Sequence, residues 1–76
     1  MLKSSTYKVV GEPQLHCASC EQRVVRTLAG QPGVRQVRAD ASSQQIEVMF
    51  DNSAIEETAI AERIHSLGYV TENVSG

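Results

Sequence analysis

An α+β fold with its elements in the order β-α-β-β-α-β is what this sequence of 76 residues predicts. Three observations predict it. Apolar residues recur at helical spacing over 18–29 and again between Ser53 and Ser66. They alternate with polar residues over 35–41 and 45–51. Glycine and proline sit at the joints between these runs.

Taken in order, Thr6-Tyr7-Lys8-Val9-Val10-Gly11-Glu12 reads as a short strand stopped by Pro13, its phase left open by the adjacent Val9 and Val10. The loop Gln14-Leu15-His16-Cys17 follows. From Ala18 to Ala29 the pattern is helical, with Cys20, Val24 and Leu28 four apart on one face. Gly30 and Pro32-Gly33 end that helix. Over 35–41, Val37, Ala39 and Ala41 alternate with polar neighbours. Over 45–51, Ile46, Val48 and Phe50 do the same, with Glu47, Met49 and Asp51 on the other face. Ser42-Ser43-Gln44 is the hairpin turn between these strands. Ser53-Ala54-Ile55-Glu56 has the spacing of a capping box, in which the serine hydroxyl and the glutamate each take up an orphan N–H. The second helix then presents Ile60, Ile64 and Leu67 until Gly68 stops it, and Tyr69 to Val74 is the last strand. The most economical packing of this order is a four-stranded antiparallel sheet with both helices on one face, the ferredoxin-like arrangement. No linker, repeat or low-complexity segment interrupts it, so residues 1–76 read as a single domain.

Bulk properties narrow the function classes. A net charge of −2 lacks the basic excess a nucleic-acid partner would want. No stretch approaches the ~20 apolar residues of a membrane span, which speaks against direct membrane insertion. Met1-Leu2-Lys3-Ser4-Ser5-Thr6-Tyr7 has no hydrophobic core behind its charge, so it does not read as a secretory signal, and the cytoplasm is the default location. There, two cysteines are expected as thiols.

Those cysteines carry the chemistry. Cys17-Ala18-Ser19-Cys20 places two sulfurs across a loop-to-helix junction, where both can converge on one point. The orphan N–H groups at the helix start favour anionic sulfur, and the thiolate is the form that binds metal. Two soft donors suit copper(I) or zinc and exclude magnesium and calcium. On spacing alone, three other readings stay open. They are a thioredoxin-type redox dithiol, half of a structural zinc site, and incidental thiols. The first usually sits in a longer chain with a βαβ start. The second lacks its other two ligands. No acid–base pair, nucleophile–base set or phosphate loop appears elsewhere, so the chain does not read as an enzyme.

Leu15-His16-Cys17-Ala18-Ser19-Cys20 resembles the Met-X-Cys-X-X-Cys motif of the heavy-metal-associated domain family. That family comprises small copper chaperones, mercury-binding periplasmic proteins and N-terminal domains of metal-pumping P-type ATPases. The likeness spans nearly the whole chain. Leu28 with Pro32-Gly33-Val34 is similar to the end of the family's first helix, Val48-Met49-Phe50-Asp51 to its third strand, and Gly68-Tyr69 to the glycine-aromatic pair before its last strand. The resemblance implies metal trafficking, with Cys17 and Cys20 as ligands.

Departures from the motif bear on the metal. Leu15 replaces the usual methionine, a buried anchor rather than a ligand, and similar volume is well tolerated in cores. Lys8 and Glu12 fall where the family has apolar residues, and a bulge near Gly11 would return Tyr7 and Val9 to the core. His16 precedes the first cysteine, and an imidazole there would be a third donor that shifts preference towards zinc. A solvated loop histidine is the plainer reading and the favoured one. His65, in the second helix, reads as solvated, and Met49 as surface. Tyr69 reads as an amphipathic cap on the core; the resemblance adds that its loop shields the metal and tunes release.

Arg23 and Arg26 on the first helix, with Arg35 and Arg38 beyond, oppose Glu56, Glu57 and Glu62 on the second. Two solvated faces explain such an asymmetry, and it also resembles a chaperone's basic docking helix, although Glu21 dilutes it. The leading expectation is a free-standing cytoplasmic copper(I) metallochaperone. It would hand its ion by thiolate exchange to a metal-transporting P-type ATPase or that pump's metal-binding domain, or share it across a metal-bridged homodimer. The alternatives are a zinc, cadmium or mercury detoxification or sensing protein, or an N-terminal pump domain itself.

Overall fold

Ser5, Tyr7 and Val9 point inward and Ser4 and Lys8 point outward, and this alternation defines β1, Leu2–Val10, in the computed structural model, which describes residues 1–12, 14–16 and 18–74. The strand thus starts at Leu2 rather than Thr6 and ends at Val10 rather than Glu12. Its first half escaped the apolar pattern because the inward residue there is a serine. Ser5 is buried and donates its hydroxyl to Glu57 Oε2 at 2.8 Å, which removes the cost of burying it.

The bulge expected near Gly11 is absent. Tyr7 and Val9 reach the core in unbroken register, Lys8 faces solvent, and Gly11 and Glu12 lie beyond the strand in an exposed bend. The irregularity sits instead in β2, Val34–Asp40, where Val34 pairs with Phe50 and Gln36 with Met49. The extra residue, Arg35, lets Val34 share the inner side with Val37 and Ala39 although their spacing is odd.

Helix α1 covers Ala18–Ala29 as the periodicity predicts, with Val24 and Leu28 fully buried. Strand β3, Gln45–Asp51, buries Ile46, Val48 and Phe50 and exposes Glu47 and Met49. Helix α2 runs Glu57–Ser66 and buries Ile60 and Ile64; β4 is Val70–Asn73. The predicted capping box does not form. Asp51 Oδ1 takes both the Ser53 N–H (3.0 Å) and the Ser53 hydroxyl (2.6 Å), so the serine is spent on a turn. The helix starts later, after an extended Glu56 whose side chain caps nothing.

The strands form one antiparallel sheet in the order β2-β3-β1-β4. Side chains of both helices join those of β1 and β3 in a single core, so the helices share one face, as the ferredoxin-like arrangement requires. No helix among the described residues is long and apolar enough to cross a membrane.

Register also decides where the loops meet. Lys8 pairs with Gln45 and Val10 with Val70. The chain leaving β1, the turn at 41–44 and the segment before β4 therefore gather at one end of the sheet.

Candidate metal centre

Leu15 is the fixed point of the loop that follows β1. Its side chain is 2% exposed and belongs to the main core, the anchoring expected of a leucine in the methionine position. Its backbone is held as well. Leu15 N–H donates to Gln44 Oε1 at 2.8 Å, and Gln44 Nε2 donates to the Leu15 carbonyl at 2.7 Å. His16, next along, is exposed.

Cys17 lies outside the described residues. Cys20 is in the first turn of α1, half-buried and packed against the core. That helix end carries N–H groups with no intrahelical acceptor, an electropositive environment for a sulfur ligand. The next residue, Glu21, is half-buried. Its Oε2 accepts the Ala41 N–H at 2.6 Å and ties the first turn of α1 to the hairpin. Among the described residues, no three His, Cys, Asp or Glu side chains converge as a metal-holding group.

Tyr69 immediately precedes β4, is 8% exposed and packs into the core, as the reading of it as a core cap predicts. Arg23 and Arg26 are exposed on α1. At about 100° per residue, Glu21 and Arg23 stand on opposite flanks of that helix. Glu21, bound to the hairpin, therefore sits apart from the arginines. His65 and Met49 are both exposed.

Gln44 and Glu21 were missed as parts of the site. Each acts through a contact distant in sequence, which periodicity does not report. The one hint is Gln44 itself, a glutamine at φ +57, where a turn ordinarily favours glycine or asparagine.

The family model described as heavy-metal-associated domain matches residues 9–70. No curated protein matches the chain. Among solved structures, the chain is similar to oxidized MerP from Ralstonia metallidurans CH34, with a TM-score of 0.85 at 20% identity, covering 99% of this chain and 100% of that one. A copper binding domain from HMA7, a P-type ATPase, superimposes with a TM-score of 0.84 at 25% identity, over 95% and 93% of the two chains. A structure described as CopZ metallochaperone gives 0.83 at 21% identity, over 92% and 100%.

Proposed function

This chain belongs to the heavy-metal-associated domain family, and from that premise we propose that it is a copper(I) metallochaperone with Cys17 and Cys20 as its metal ligands. The observation that carries the reading is the place of Cys20. It stands in the first turn of α1, beside a loop anchored at Leu15, at the end of the sheet where three connections meet. The likeness to a copper binding domain of a P-type ATPase and to a metallochaperone favours copper among soft metals.

Metal is cargo in this reading, and the chemistry is exchange. A copper(I) ion held by two thiolates is coordinatively open, so an incoming partner thiolate adds and then displaces one of the original cysteines. Two sulfurs at a loop–helix junction suit such release, whereas a closed four-ligand cage would retain its ion. Tyr69 shields the site from one side. Arg23 and Arg26 supply a positive face for an acidic partner, a metal-transporting P-type ATPase or its metal-binding domain, and would govern encounter and orientation more than affinity. Residues 1–76 act as one domain, located in the cytoplasm, without enzymatic turnover.

Anaerobic copper(I) titration against a competing chelator, with mass measurement of stoichiometry, tests the reading. One ion per chain is expected, lost in both Cys17→Ser and Cys20→Ser. Loaded protein should then pass copper to an apo metal-binding domain with no free copper present. Retained binding in the serine variants would sink the ligand assignment, and absence of transfer would sink the chaperone role.

A second reading, a zinc, cadmium or mercury protein with a third ligand, rests on His16, which is exposed immediately before Cys17.

A further inference from the structure

We propose that Gln44 is a positioning residue for the metal loop, its carboxamide fixing the backbone two residues ahead of Cys17; the inference rests on the assignment of Cys17 and Cys20 as ligands.

Leu15 lies outside the sheet, yet its side chain is buried in the core, so its backbone N–H and C=O need partners that no strand supplies. Gln44 supplies both at 2.8 and 2.7 Å, and its Nε2 also donates to the Ala41 carbonyl at 2.6 Å. One acceptor and two donors on one planar group is what a primary amide offers; a carboxylate has no donor, an ammonium no acceptor, and a hydroxyl a single donor. Gln44 thus imitates a neighbouring strand for a single residue.

The residue that carries the amide is itself held. The Gln44 backbone carbonyl accepts the Val9 N–H at 2.7 Å, so the turn is keyed to β1 just before the loop departs. Gln44 adopts φ +57, a left-handed conformation in which glycine is unstrained and a long side chain is disfavoured. A turn residue required only for its backbone would gain nothing from a glutamine at this position. On the other side of the motif, Glu21 joins α1 to Ala41 of the same turn. One turn, 41–44, therefore grips the chain at Leu15, two residues before Cys17 in sequence, and at Glu21, one residue after Cys20.

Gln44→Gly separates positioning from stability, because it relieves the left-handed strain while deleting the amide. The expected result is only a small loss of thermal stability, because the relieved strain offsets part of the lost hydrogen bonding. Amide exchange in β1 and β3 should change far less than at the Leu15 N–H, where it rises at least about tenfold, the weight of one to two net hydrogen bonds. Copper(I) affinity should fall by a similar factor. Gln44→Asn, which accepts the left-handed backbone but is one methylene too short to reach Leu15, should repeat both losses. It also serves if the glycine variant fails to fold. Wild-type Leu15 exchange or wild-type copper affinity in these variants overturns the proposal. If the wild type itself binds no soft metal through its cysteines, the ligand assignment falls, whereas Leu15 exchange in the metal-free protein still reports on the amide clamp.

Discussion

The carboxylate of Glu21 accepts the backbone N–H of Ala41 at 2.6 Å, so an acidic residue beside the cysteine motif ties the first turn of α1 to the hairpin. A charged acceptor makes this a strong hydrogen bond for its size. Truncation by Glu21→Ala leaves a half-buried N–H without its partner and should cost about 1–3 kcal/mol. In a domain of this size that lowers Tm by roughly 4–8 °C per kcal/mol. Glu21→Gln keeps an acceptor at the same reach and should cost less. Thermal melts of the two variants decide it: equal, wild-type midpoints would mean the contact contributes nothing.

Gly33 is the most crowded of the described glycines. It adopts φ +87, and an added Cβ would stand 2.7 Å from Ala54 Cβ and 3.3 Å from Ile55 Cγ2. Its carbonyl meanwhile accepts the Asp51 N–H at 2.8 Å, which limits how far the segment can move away. Gly33→Ala combines a left-handed alanine with a clash against a side chain that has no rotamer to change. A loss of about 2–4 kcal/mol in urea unfolding is expected. Adding Ala54→Gly should restore the clash share and leave the conformational share. If the double variant is no more stable than the single one, the contact with Ala54 is not the cause.

How much of this was legible in the sequence depended on whether the deciding contact was local. Val24 and Leu28, or Ile46, Val48 and Phe50, announce their faces by periodicity alone, and α1 and β3 were placed correctly for that reason. The start of β1 was hidden because Ser5 is inward and polar, acceptable only with Glu57 brought to it across 52 positions. The false capping box had the right residues, but Asp51 competed for Ser53. At the candidate site, the cysteine spacing is a matter of residue types, and the burial of Leu15 followed from its resemblance to the family's anchoring methionine. The grip of Gln44 on Leu15, 29 positions away, could be read in neither way, because register creates it.

Glu57 predicts an acid dependence with a definite sign. Hydrogen bonds from the Lys3 ammonium first, then from the Ser5 hydroxyl and the Asn73 amide, hold its carboxyl at about 2, down from an ordinary 4.5. The folded state binds this proton less readily than the unfolded chain. The stabilisation is therefore complete above about pH 4.5 and is lost as pH falls through about 2. Urea midpoints of wild type and Glu57→Gln should differ clearly near neutrality and converge across that window. Asp51, lowered by Ser53 and the N-terminal ammonium, and Asp40, lowered by Ser42, titrate in both proteins and cancel in the difference. A gap that stays constant with pH would assign Glu57 a role indifferent to its charge.

His16 decides between cargoes. The residue before it is locked in the core by side chain and backbone, while His16 itself is exposed, so its imidazole has freedom of rotation but little freedom of position. Copper(I) is satisfied by two thiolates, whereas zinc in a protein site takes three or four ligands, and a histidine would be its nearest nitrogen donor. Competition titrations of wild type and His16→Ala against copper(I) and zinc, run in parallel, separate the two cases. With copper as cargo, the substitution should change copper affinity by less than about threefold, below 1 kcal/mol, and zinc should bind weakly to both proteins. Tight zinc binding that disappears with the imidazole would reverse the order, because only a metal needing a third donor registers its removal.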